Sequence, residues 1–160
     1  MTQQEEEYVH FVSCISNLNE AWIILHNIKK NDGSVLVNPA FQFALIEYSK
    51  PYKKSYGEIK KFHKLENDPP KHVPLHYLDL HKKIVDDRDK IFAHSDLTVD
   101  DAKVYVSSTN YGKHVGISKN VIYDTEMLGK IDAIIDLIEQ SLDSMYKEAK
   151  QLEAALPINS

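Results

Sequence analysis

"LGKIDAIIDLIEQSLDSMYKEAKQL", residues 128–152, sets Leu128, Ile131, Ile135, Ile138, Leu142, Met145, Ala149 and Leu152 three or four residues apart. That period lines them along one side of an α-helix. The run predicts a single helix starting at Asp124 or Thr125, roughly 40 Å long at about 1.5 Å per residue. So long an apolar stripe must be covered, and the rest of the chain offers matching surfaces. Residues 5 to about 30 repeat the pattern with Tyr8, Phe11, Ile15, Leu18, Trp22 and Leu25, and "NDGS" at 31–34 ends it. A second helix is expected in "NPAFQFALIEYS", with Asn38 as cap and Pro39 at the first helical position. Pro51 interrupts it, and the segment beyond is expected to continue helically. "ENDPPKHVP" forms a loop whose Pro74 opens a third helix running to about position 94.

The period then changes. "KVYVSS" and "KHVGIS" are rich in β-branched residues and flank "TNYG", which predicts a β-hairpin over 103–118. The expected architecture is all-α: an up-and-down bundle of four main helices, with a small hairpin inserted before the last, in one domain over residues 1–160. Part of a stripe is left for a second subunit.

With 42% hydrophobic and 27% charged residues, the 160-residue chain has the balance of an ordinary globular protein rather than a disordered one. Its opening "MTQQEEEYVH" lacks the basic-then-apolar order of a signal peptide, and its longest apolar runs are far short of a membrane span. A cytoplasmic protein without membrane association is expected. Cys14 is the only cysteine, so no internal disulfide can form, which suits a reducing compartment. The net charge of -5 argues against a basic coat for nucleic acid, although one stretch departs from it. "KPYKKSYGEIKKFHK", residues 50–64, interleaves six lysines with Tyr52, Tyr56 and Phe62 against Glu58 alone. Lys53, Lys54, Lys60 and Lys61 are candidate contacts to a phosphate backbone. The alternative is a solvated, lysine-rich face.

In the third helix an arginine stands where an apolar residue belongs. On a wheel of about 100° per residue, Tyr77, Leu80, His81, Ile84, Val85, Ile91 and Phe92 all fall within about 80° of Arg88. A guanidinium on such an arc stays charged, so it requires a partner or a wet cleft. His94 lies about 120° away, at the margin of the arc near the expected helix end. One reading pairs Arg88 with a buried carboxylate such as Glu47 and lets His94 cap the helix. Asp89 and Asp96 would then be a surface charge and a turn residue. The other reading makes the group a site.

"RDKIFAHSD", residues 88–96, resembles the signature of HEPN domains: an arginine, a polar residue, and a histidine a few positions on. Arg88, Asp89 and His94 match it, and the fuller form resembles that of abortive-infection-type bacterial HEPN proteins. The resemblance implies a metal-independent endoribonuclease, of toxin or phage-defence type, whose homodimer brings two arginine-histidine pairs into one cleft. RNA would be its substrate, and an antitoxin or a neighbouring defence protein its possible partner. It implies that Arg88 holds the phosphoryl group, that His94 moves protons, and that Asp89 orients one of them or contacts RNA. His81 and Asp96 would support the site, although His81 reads equally as a satisfied core histidine. It also leaves open a non-catalytic dimerisation, nucleotide-, RNA- or protein-binding module.

Other constellations are poor. His72 and His76 are separated by Pro74, there is no second cysteine and no "HExxH", so neither a metal nor another cofactor is expected. Cys14 sits in an apolar helical stretch and reads as a core residue.

Overall fold

The computed structural model describes residues 1–31, 33–60, 63–65, 70–88, 103–109, 112–118 and 125–157. They are mostly helical, with a small antiparallel hairpin before the last helix. No helix among them is long and apolar enough to cross a membrane.

Helix α1, Gln3–Lys30, starts two residues earlier than its stripe. Thr2 caps it, accepting from the Glu5 amide while the Glu5 carboxylate accepts from the Thr2 amide. Glu5 and Glu6 in the first turn and Lys29 and Lys30 in the last suit the helix dipole. Helix α2, Val37–Ser49, begins before the expected Asn38 cap. The N-cap position is Leu36, with no side-chain cap, and a turn at Ser34 leads into it: the Ser34 hydroxyl accepts from the Leu36 amide at 3.2 Å and its carbonyl from the Val37 amide at 3.1 Å. Pro39 then falls in the first turn, where its missing N–H costs nothing. Pro51 ends the helix in a 3-10 turn, Lys50–Tyr52.

A second 3-10 turn, Leu75–Tyr77, leads into α3, Leu78–Asp87. The hairpin pairs β1, Lys103–Thr109, with β2, Gly112–Ser118, in a register that sets Val106 opposite Val115. Gly112 closes it at φ 118°, a conformation that favours glycine. The final stripe is not one helix. A four-residue helix α4, Thr125–Leu128, is separated by Gly129 and Lys130 from α5, Ile131–Ala154. Glycine is among the poorest helix formers, and the break falls on it.

Helices α1 and α5 run antiparallel. Lys29 pairs with Asp132, Trp22 Nε1 donates to Glu139 at 2.7 Å, and Asn19 donates to Tyr146 at 2.8 Å. Between these edges lie Leu18, Ala21, Leu25, Ile134, Leu137, Ile138 and Met145, all fully buried. Helix α2 packs on α1 through Phe41, Ala44, Leu45 and Tyr48, and α3 packs on α2.

Residues 53–60 and 63–65, beyond the Pro51 turn, are not helical, a correction to the reading of this segment from sequence. They are extended, with an antiparallel bridge between Ser55 and His63. Glu6 explains why. Its buried carboxylate accepts from the amides of Ile59 at 2.7 Å and Lys60 at 3.0 Å, donors a helix would need for its own ladder, and from His63 Nε2 at 2.6 Å. Gly57 admits this approach: a Cβ there would stand 2.2 Å from Glu6 Oε1 and 2.6 Å from the Lys60 carbonyl. The His63 hydrogen bond, then the two amides, hold the Glu6 carboxyl at about 2. Its folded value lies below its ordinary one, so its stabilisation is complete above pH 4.5 and is lost as pH falls toward 2. Glu6→Gln is expected to lower stability at neutral pH and to flatten the acid limb in that window, as read by urea unfolding at successive pH values. Gly57→Ala should mimic the neutral-pH loss.

Candidate active site at the end of α3

Helix α3 presents an amphipathic wheel. His81 and Ile84 are buried, Leu78, Leu80 and Val85 are half-buried, and Asp79, Lys82 and Asp86 are exposed. Arg88 follows one turn after Ile84, with helical dihedrals of φ -55° and ψ -44°. It is half-buried, one and two turns on from the buried Ile84 and His81. Glu47, the carboxylate suggested as its mate, is buried and paired with Lys50. Asp89, His94, Asp96 and Lys61 lie outside the described residues, as does the expected end of α3 near position 94.

His81, two turns before Arg88, is buried in the core. Its Nδ1 lies 2.8 Å from the Tyr48 hydroxyl, with the tautomer deciding which group donates. The Tyr52 ring meets it edge-on, with ring centroids 4.5 Å apart. Burial, then the charges of Lys82 and Lys53, push His81 down to about 4, so the imidazole is neutral at physiological pH. Burial pushes Tyr48 in the opposite direction and keeps its hydroxyl protonated.

The candidate lysines separate. Lys53, half-buried just past the Tyr52 turn, lies close enough to His81 to act on it electrostatically, which places it beside α3. Lys54 is exposed next to it in the chain. Lys60 is drawn away to the start of α1, where its ammonium lies 3.5 Å from Glu7.

A second polar cluster escaped the reading of the sequence. The His10 and His63 rings stack at 4.8 Å, Ser55 Oγ lies 3.2 Å from His10 Nδ1, and Cys14 Sγ lies 3.5 Å from His10 Nε2. Glu6, His10 and Cys14 stand four residues apart on α1, a one-face spacing that was open to reading. The cluster is poorly equipped for nucleophilic chemistry. Burial pushes the Cys14 thiol up to about 12 and lowers the pKa of His10, so neither group is charged near neutrality. Among the described residues no group of three or more His, Cys, Asp or Glu side chains is placed to hold a metal ion.

Comparison with protein-family profiles, with curated proteins and with solved structures gave no match.

The His81–Tyr48 bond is the polar anchor between α2 and α3 beneath Arg88. Tyr48→Phe would strand a buried ring nitrogen, at a cost of about 1–3 kcal/mol. The folded value of His81 is depressed from 6.5, so the stability it contributes is complete above pH 6.5 and lost as pH falls toward 4. Imidazole NMR shifts of the folded protein should show His81 still neutral well below pH 6.5; titration near that value would contradict this arrangement.

Proposed function

We propose that this chain is a HEPN-type, metal-independent endoribonuclease of the toxin or phage-defence kind. In this proposal it acts in the cytoplasm as a homodimer, and its single domain is an up-and-down bundle of four main helices. The observation that carries the reading is the half-buried Arg88, one turn beyond the buried Ile84 at the end of α3, with Asp89 and His94 following in the sequence. A guanidinium held there offers a permanent charge and a planar fork that fits two phosphate oxygens. A histidine supplies the complementary chemistry, because its ordinary pKa allows it to take or give a proton near neutrality.

In the proposed reaction the RNA 2'-oxygen attacks the adjacent phosphorus and loses its proton to one His94. The bond from phosphorus to the 5'-oxygen breaks, and that oxygen receives a proton from the His94 of the second copy. Arg88 neutralises the charge gathering on the phosphoryl oxygens, and Asp89 orients the pair. Lys53, beside α3, and Lys54 lead the RNA toward it.

A second reading, a non-catalytic interaction module, draws on the hairpin. Val104, Val106 and Val115 are 64%, 62% and 63% exposed, an apolar face suited to a protein partner such as an antitoxin.

Purified protein incubated with total RNA in EDTA separates the two. Cleavage is expected to leave 2',3'-cyclic phosphate ends and to fall by about 10²-fold or more in Arg88→Ala and in His94→Ala. Full activity in His94→Ala would sink the mechanism, and no cleavage by a folded wild type would favour the interaction module.

RNA affinity should also fall steeply with salt. A Lys53→Ala, Lys54→Ala double variant is expected to reduce the slope of log K against log salt by about 1.4, at roughly 0.7 for each single-strand phosphate that is no longer neutralised. An unchanged slope would remove these lysines from the RNA path.

A further inference from the structure

Away from α3, a cavity of about 180 Å³ opens between Phe11 of α1, Glu148 of α5 and the segments carrying Tyr52, Leu65, Lys71 and His72. A core cavity of roughly 150 Å³ holds one benzene ring, so this one has room for a single six-membered ring with small substituents. Its walls suit a flat ring. Phe11 and His72 meet edge-on with ring centroids 5.6 Å apart, and Tyr52 and Leu65 add apolar surface. Arg88 does not line the cavity, so the site does not depend on the reaction proposed there.

The charges around the cavity cancel. The Lys71 ammonium pairs with Glu148, and Lys64, which also lines the cavity, already has a partner. His72 is held at both ring nitrogens, with Nε2 3.2 Å from Glu148 Oε2 and Nδ1 3.0 Å from Ser144 Oγ. Burial lowers its pKa more than Glu148 raises it, so the imidazole is neutral at physiological pH. Beside a carboxylate, a neutral ring carries its proton on Nε2 and accepts from the serine hydroxyl at Nδ1. An ionic ligand would give up its hydration here without meeting a counter-charge.

Hydrogen-bonding capacity is what remains. Lys71 and His72 both meet Glu148 at Oε2, and Glu148 Oε1 has no hydrogen-bond partner among the described residues. An ammonium carries three N–H donors, so Lys71 keeps two after meeting Glu148. An open acceptor thus stands beside open donors. A cyclic amide is the complement of such a pair, because its N–H and C=O lie side by side on one edge.

We propose that this cavity binds an uncharged six-membered ring with an amide edge, the chemistry of uracil. The ring lies among Phe11, Tyr52, Leu65 and His72, its N–H donates to Glu148 Oε1, and the neighbouring carbonyl accepts from Lys71. Each of these bonds has one ionised partner and is charge-assisted. A site built to bond an N–H strongly rejects an analogue that lacks it.

The test titrates the full chain with uracil, 1,3-dimethyluracil and benzoate while following the His72 imidazole resonances by NMR. Uracil is expected to give a saturable shift, at a Kd of about 1 mM or below. Dimethyluracil, which keeps both carbonyls but has no N–H, and benzoate, which brings a negative charge, should bind at least about tenfold more weakly. Lys71→Ala alters a side chain that is 60% exposed, so circular dichroism should be unchanged while uracil binding weakens about tenfold. Glu148→Ala should weaken uracil in the same way and, by releasing Lys71, bind benzoate more tightly than the wild type does. Uridine, whose N1 carries ribose, identifies the source of the ring: binding equal to that of uracil assigns the site to nucleosides, and loss of binding assigns it to the free base.

Three results would overturn the proposal. They are no saturable shift with uracil, equal binding of dimethyluracil, or binding of benzoate by the wild type as tight as that of uracil. Undiminished uracil affinity in a folded Lys71→Ala, Glu148→Ala double variant would do the same.

Discussion

The antiparallel seam between α1 and α5 is the element against which everything else is placed. Its interior is a row of fully buried side chains, Leu18, Ala21 and Leu25 from one helix and Ile134, Leu137, Ile138 and Met145 from the other. Each large member contributes about 1.5–3 kcal/mol by leaving water. The polar pairs along its edges act differently. Lys29 with Asp132 is largely exposed, and such pairs contribute about 0–1 kcal/mol. Together with Trp22–Glu139 and Asn19–Tyr146 it selects one alignment of two helices whose apolar stripes alone would tolerate a slide. Hydrophobic burial holds the seam, and the edges set its register.

A buried carboxylate sets the path of the chain beyond α2. Pro51 stops the helix, but a stop does not dictate the conformation of the residues after it. Glu6 does, because it offers a fixed anion to the amides of residues 59 and 60 and to His63, and an extended loop can satisfy all three at once. The long crossing from α2 to α3 is thereby tied to the first turns of α1. Lys60 is carried to Glu7 by the same tie, while Lys53 remains next to α3.

These two features differ in how far they could be read in advance. The long helices were legible because each stripe of three-four spacing refers only to its own residues. The hairpin was legible because β-branched runs around a turn are a local signal, and Gly112 does close it. The Glu6 tie was not legible, because it joins residues more than fifty positions apart and its donors are backbone amides, which no side-chain pattern announces. The helical reading of the segment after Pro51 failed over residues 53–60 for that reason, because Gly57 and a distant carboxylate favour the loop. The break at Gly129 is a milder case. The stripe continues across it, and only the backbone shows that the helix does not. Of the candidate site, the wheel set Arg88 among apolar neighbours, and Arg88 is half-buried. The wheel could not choose between cleft and core for His81, which Tyr48 and Tyr52 decide.

Tyr52 is the residue where these arrangements meet. It stands at the end of the turn made by Pro51, lines the cavity beside Phe11 and His72, and presses its ring on His81 of α3. His81 is fixed from the other side by Tyr48, so a short chain of aromatic contacts joins α3 to α2 beside the buried Ile84. Arg88 lies two turns beyond His81, about 10 Å along the helix. Close-packed aromatic groups have few alternative rotamers, so displacement of one is passed to its neighbour instead of being absorbed. The same contacts that bury His81 therefore hold α3 against α2.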